Sequence, residues 1–142
     1  MSNSWTPTTP YVSVDGVVEV YKDSVFLGIV LIERKNIPLG LALPGGFVDV
    51  GEKVEDALVR EMQEELTLNV EISKLLGVYS DPKRDERFHT VSVVFVAKAY
   101  NFPEAADDAK EAKVYKLDEI PLNSLVFGHK EIVQDYLAQR EV

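Results

Sequence analysis

Cysteine is absent from the 142 residues, which excludes disulfides, thiol nucleophiles and thiolate-bound zinc together. Only two histidines are present, too few for a three-histidine metal site. Basic residues are scarce, with 15 Lys+Arg against 24 Asp+Glu. The resulting net charge of -9 argues against a nucleic-acid groove, which needs a basic face to neutralise phosphates. Long apolar runs are missing too. The longest, Val25 to Ile32, falls far short of the ~20 residues that cross a bilayer, so no membrane partner is expected. The opening MSNSWTPTTP has neither a basic nor an apolar signal stretch, so a cytoplasmic location is expected rather than secretion. What is present suits a single domain spanning residues 1–142: 46% hydrophobic and 27% charged residues form a folding mixture, not a disordered one.

No repeat or low-complexity stretch interrupts the chain. Residues 1–10, rich in Thr and Pro, read as an ordered arm or a loose tail. Tyr11 to Val20 is frequently apolar but contains Asp15-Gly16, a bulge or a tight turn. Val25 to Ile32 is β-branched and mostly apolar, the pattern of a strand buried on both faces. Lys35 to Gly40 is a loop, and Leu41 to Pro44 adds a short strand before a Gly45-Gly46 break. Glu52 to Leu66 has no Pro or Gly, and Val54, Leu58, Met62 and Leu66 recur every fourth residue, which predicts an amphipathic helix. Strands follow over Val70–Tyr79 and Thr90–Tyr100, separated by a charged loop. Asn101 to Lys113 reads as a long acidic loop, Lys113–Leu117 as a short strand, and Gly128–Arg140 as a closing helix. The order predicts an α+β fold, a mixed sheet with helices packed against it.

The chemistry concentrates in Gly46 to Leu68. On a helix, Glu64 lies about 60° to one side of Glu61 and Glu65 about 40° to the other. Three carboxylates thus share an arc of about 100°, where they repel one another unless something cationic offsets them. Oxygen ligands without His or Cys point to Mg²⁺ or Mn²⁺. Gly45-Gly46 allows close backbone approach and could aim a carbonyl at the same metal. Glu52 sits at the helix start, where a carboxylate complements the exposed N–H groups. Arg60, about two turns further on, could tie Glu52 or Glu64 in place. An acidic helix face is usually just a solvated surface. Gly, Glu, Arg and three further Glu at these fixed offsets, however, arise by chance on the order of once in 10⁵ chains of ordinary composition.

These residues resemble the signature of the Nudix hydrolases: Gly, five residues, Glu, seven residues, Arg-Glu, an aliphatic, any residue, Glu-Glu, any residue, Gly, an aliphatic. Gly46, Glu52, Arg60, Glu61, Met62, Glu64, Glu65 and Leu68 match, and Thr67 stands where the last Gly belongs. That Gly normally permits a left-handed helix cap, a conformation that a β-branched residue disfavours. The resemblance implies a β-α-β sandwich with a central mixed sheet, a catalytic helix and a C-terminal helix. It implies cleavage of a nucleoside diphosphate linked to another group, with Glu61, Glu64 and Glu65 as metal carboxylates, Gly45 as a backbone ligand, and more than one Mg²⁺ or Mn²⁺ during turnover. It further suggests that a carboxylate from the acidic loop, Asp108 or Glu111, completes the site or acts as general base in place of Glu61.

The likeness extends to Tyr11–Gly16, Ile32–Lys35, Leu43–Val48, Gly77–Asp85, His89–Val94 and Phe127–Ile132, and is similar to the small prokaryotic ADP-ribose pyrophosphatase branch. Pro82 occupies that branch's marker position, whereas Glu86 and Phe88 replace its usual Pro and Gly beside the expected substrate mouth. Arg84 and Arg87, and Arg34 after the second strand, are candidates to hold a terminal ribose or a phosphate, or are solvated loop arginines. His89 and His129 read as structural. The implied activity is hydrolysis of ADP-ribose to AMP and ribose 5-phosphate. The alternatives are a nucleoside-triphosphate pyrophosphatase of the mutation-preventing (8-oxo-dGTP) type and a silent nucleotide-sensing module. A homodimer, with the N-terminal arm swapped, is compatible with the branch.

Overall fold

The structure, a computed structural model, describes residues 5–107 and 109–140. Among the described residues, seven strands form one sheet: β1 (Tyr11–Lys22), β2 (Val25–Arg34), β3 (Leu41–Ala42), β4 (Gly45–Phe47), β5 (Glu71–Tyr79), β6 (Thr90–Ala99) and β7 (Ala109–Tyr115). The main path runs β3-β2-β1-β6-β5, with β4 paired to β1 and β7 to β2. β1 and β6 are parallel and the other pairs antiparallel, so the sheet is mixed. The helices are α1 (Val54–Leu66) and α2 (His129–Arg140). Neither is long and apolar enough to cross a membrane.

Strand alternation divides the core into two layers. Val14, Val18, Val20, Val30, Ile32, Phe95 and Ala97 pack against Leu58, Met62 and Leu66 of α1. Val17, Ile29, Leu31, Val94 and Val96 pack against Ile132, Val133 and Tyr136 of α2. Neighbouring residues of β1, β2 and β6 thus serve opposite layers, which is why β2 is apolar at consecutive positions. Its buried stretch is Gly28 to Ile32, while Val25 at its start is exposed. Leu58, Met62 and Leu66 are each fully buried, worth about 1.5–3 kcal/mol apiece as an upper figure.

Three expectations are corrected. Asp15-Gly16 is neither turn nor bulge: β1 pairs residue for residue with β6 from Tyr11 to Val20. Gly16 serves instead the close approach of α1, since a Cβ there would lie 3.2 Å from Leu58 Cδ1 and 3.4 Å from Met62 Sδ. Gly45-Gly46 is not a break but the body of β4, in register with Asp15 and Val14. The acidic stretch is shorter as a loop than its composition suggested, because β7 begins at Ala109. Lys110, Glu111 and Lys113 are the polar residues expected of an edge strand, and they hide its strand character.

Thr67 caps α1 in the left-handed conformation, φ 58° and ψ 35°. Its N–H donates to Gln63 O (3.1 Å), the bond of a left-handed helix cap, and the Leu68 N–H to Met62 O (3.3 Å), a cap made without glycine. The next carbonyls are taken by the following loop: Glu104 N–H donates to Leu66 O (2.8 Å) and Ala106 N–H to Glu65 O (2.9 Å). The helix end therefore fixes the acidic loop beside Glu65. Because a non-glycine residue pays about 1–2 kcal/mol for this conformation, Thr67→Gly is expected to stabilise the fold by about 1 kcal/mol in urea unfolding, with an unchanged m-value.

Candidate active site

A cavity of about 650 Å³ opens where α1, β4, β1 and the loops before β6, β7 and α2 meet. Glu61, Glu64, Glu65 and Asp107 line it, together with Gly45 and Gly46. Arg34, Arg84 and Arg87, which cluster around Phe127, line it too, with Asp15, Asp85 and His129 also in the wall. The wall thus carries an acidic cluster and a cationic cluster, its two poles.

The two glycines explain the acidic pole sterically. A Cβ on Gly46 would collide with the carboxylate of Glu61, and a Cβ on Gly45 with the Val14 carbonyl and Asp15 Oδ1. Each missing side chain leaves room for a carboxylate of a neighbouring element. Glu65, 6% exposed, accepts the Gly45 N–H at Oε1 (3.0 Å), which ties α1 to β4.

Arg60 supplies the counter-charge. Its Nε and Nη2 donate to the two carboxylate oxygens of Glu52 (2.8 and 2.9 Å), a bidentate pair, and Nη2 also reaches the Phe47 carbonyl (3.0 Å). Nη1 donates to both Glu61 (2.8 Å) and Glu64 (3.2 Å). Glu52 precedes the helix by two residues, and its other partner is the Asp49 N–H (3.0 Å), so it serves Arg60 rather than the helix amides. The Arg60 hydrogen bond, with that of the Asp49 amide, holds the Glu52 carboxyl down at about 2. Burial pushes the Glu61 carboxyl above the ordinary range, opposed by Arg60 and reinforced by Glu64 and Asp107.

The donor set suits a hard divalent cation. Glu61 and Glu64 already converge on one positively charged nitrogen, and oxygen is the only donor type at this pole. Among the described residues, no three carboxylates or imidazoles stand close enough to hold an ion as placed, since Arg60 and the Gly45 amide engage them. Glu61, Glu64, Glu65 and the Gly45 carbonyl are the groups that would turn to one.

The acidic loop brings Asp107, at φ 51°, into the cavity wall. Asp108 lies outside the described residues. Glu111 is not brought to the cavity: it sits on β7 opposite Glu33 and pairs with Lys113 (3.2 Å). The three arginines reach the cavity with their hydrogen bonds partly committed. Arg34 Nε donates to Pro38 O (2.8 Å). Arg84 donates to the carbonyls of Phe127 (2.8 Å) and Thr90 (3.3 Å), joining the loop before β6 to the start of α2. Arg87 forms a bidentate pair with Asp85 (3.0 and 2.9 Å) and lies 4.8 Å from the ring centres of both Phe88 and Phe127, while Arg34 lies 4.6 Å from the Phe127 ring. The cationic wall is therefore a stack of guanidinium and aromatic groups, pre-ordered before any ligand arrives. Asp15, Asp107, Phe127 and His129 were not singled out as site residues from sequence. Asp107 adjoins the candidate Asp108 in sequence.

The NUDIX domain family matches residues 10–136. The chain belongs to the Nudix family. It is 47% identical over 131 residues to an ADP-ribose pyrophosphatase of Methanocaldococcus jannaschii, a match covering 90% of this chain and 73% of that protein. A putative 8-oxo-dGTP diphosphatase of Bacillus subtilis is 48% identical over 61 residues, 43% of this chain and 40% of that one. Among solved structures, the bifunctional NMN adenylyltransferase/ADP ribose pyrophosphatase of Francisella tularensis, complexed with AMP and Mn ion, superposes with a TM-score of 0.78 at 28% identity, over 96% of this chain and 43% of that one. This Nudix chain thus spans under half of the last two proteins.

The Glu52–Arg60 pair carries a pH signature. A carboxyl held at about 2 when folded and near 4.5 otherwise stabilises the fold above about pH 4.5, and that contribution is lost as pH falls toward 2. Glu52→Gln is expected to flatten this part of the acid loss of thermal stability, read as a smaller fall in Tm between about pH 5 and pH 2 than in the parent protein.

Proposed function

We propose that this Nudix chain hydrolyses the diphosphate bridge of ADP-ribose, giving AMP and ribose 5-phosphate with Mg²⁺ or Mn²⁺. The observation that carries the proposal is the seating of Glu61 over the missing side chain of Gly46, in one cavity with Glu64, Glu65 and the Gly45 backbone. Relatives support the choice of substrate. The ADP-ribose pyrophosphatase match runs along most of the chain, whereas the 8-oxo-dGTP diphosphatase match covers only 61 residues. The presence of AMP and Mn ion in the Francisella structure agrees with the product and the metal class.

Bound divalent cations would neutralise the phosphate oxygens and activate water. Glu61, Glu64, Glu65 and the Gly45 carbonyl would hold them. Arg60 keeps the first two carboxylates in place without entering the bridge itself. Burial raises the affinity of Glu61 for a proton, and a cation held there would offset that rise. Water attacks one phosphorus, the bridging oxygen leaves with the other phosphate, and the water's two hydrogens are shared between products. The Arg34–Phe127–Arg87 wall, which lines the same cavity, would face the part of the substrate beyond the bridge. A homodimer belongs to the same proposal, since residues 5–10 carry no helix or strand and leave Trp5 72% exposed.

The test is product identification with Mg²⁺ or Mn²⁺ and a panel of ADP-ribose, ADP-glucose, NADH and deoxynucleoside triphosphates. AMP plus ribose 5-phosphate is expected. Release of pyrophosphate from triphosphates with no turnover of ADP-ribose would favour the 8-oxo-dGTP type instead, and inertness toward all of them the silent module. Gly46→Ala is expected to displace Glu61 and lower kcat by about 10²-fold or more, with the fold intact by circular dichroism.

A further inference from the structure

The cavity wall includes a buried polar chain that plays no part in the chemistry above. His129, the first residue of α2 and 3% exposed, accepts the Leu43 N–H at Nδ1 (2.9 Å). Its Nε2 lies 3.7 Å from Asp15 Oδ2, an electrostatic separation rather than a hydrogen bond. The same Asp15 oxygen accepts a hydrogen bond from Ser92 Oγ, and the other, Oδ1, occupies the space left by Gly45. A backbone N–H can only donate, so Nδ1 must carry the lone pair and the ring proton sits on Nε2, facing the carboxylate.

Leu43 stands between β3 and β4, two residues before the glycine pair. Its N–H is a buried donor, and His129 supplies the acceptor. Losing that acceptor would leave an unsatisfied amide at the hinge from which β4 departs. β4 has no slack: Gly46 carries the seat of Glu61, and the Gly45 N–H holds Glu65. We infer that His129 is a positioning residue, anchoring Leu43 from the far layer of the fold so that the glycine pair meets the α1 carboxylates in register. Asp15 fixes the ring's orientation, and Ser92 fixes Asp15. α2, packed in the layer opposite α1, thereby sets the geometry of the α1 carboxylates through one hydrogen bond from a backbone amide to its His129 side chain.

The inference rests on the cavity being a diphosphate-cleaving site, and its test separates the two. Nitrogen-15 NMR of the unaltered protein is expected to show His129 unprotonated at Nδ1, protonated at Nε2, and a slowly exchanging Leu43 amide. A proton on Nδ1, or a Leu43 amide exchanging as fast as those of exposed loops, overturns the anchor without any variant having to fold. His129→Leu keeps bulk and removes the acceptor. It is expected to lower kcat for ADP-ribose about 10²-fold while KM stays within about threefold, and to speed Leu43 exchange. His129→Asn restores an acceptor near the Nδ1 position and is expected to recover both. Parental kcat in His129→Leu, or a folded His129→Asn as slow as the leucine variant, would reduce His129 to packing and end the proposal. An unaltered protein inert toward ADP-ribose, with the NMR signature intact, would count against the substrate assignment and leave the anchor standing.

Discussion

Carboxylates crowded onto two turns of one helix oppose their own assembly, and the rest of the site depends on how Arg60 offsets that. The guanidinium gives two of its nitrogens to Glu52 and the Phe47 carbonyl and the third to Glu61 and Glu64. Because Arg60 is anchored by a residue outside the helix, it does more than neutralise charge. It fixes the helix face against the segment that enters it, so the carboxylates are presented from a frame with few free rotamers. A lysine there would neutralise as well but could not hold the bidentate geometry.

Steric absence completes what electrostatics begins. The two glycines of β4 point to opposite layers, as strand alternation requires. One makes room for Glu61 from the α1 layer and the other for Asp15, whose neighbours are Ser92 and His129. A single dipeptide therefore receives carboxylates from both sides of the sheet. This is why the pair belongs in a strand, not a loop: only a register held by hydrogen bonds to β1 keeps each gap opposite its carboxylate.

Much of this was legible in the sequence because it depends on local spacing. The four-residue apolar stripe located α1, the consecutive apolar residues of β2 revealed its burial on two faces, and the offsets from Gly46 to Glu65 defined the acidic pole. What was missed depends on tertiary pairing. Gly45-Gly46 carries every local mark of a chain break and becomes a strand only because β1 lies beside it. β7 is polar because it lies at an edge, and polar residues alternating in water look the same in a loop. Nothing in the residue types of an acidic loop marks Asp107, which lies in the cavity wall at positive φ. Thr67 looked unfit for its cap, yet the amide hydrogen bonds of Thr67 and Leu68 and the docked loop hold it there. His129 gave no signal, since a lone histidine at a helix start is most often structural, and here its partner is an amide 86 positions away.

The separation of charge within the cavity resolves how a chain of net charge -9 can receive an anionic ligand. The long-range field of the molecule repels a diphosphate, so attraction has to be local and short in range. One pole needs a cation to become attractive at all, since its own groups are carboxylates. The other is cationic already, but its arginines are stacked on rings and paired with Asp85 or backbone carbonyls, so they present oriented edges rather than mobile charges. A divalent cation held at the acidic pole would supply that attraction, and the cationic pole would orient the ligand.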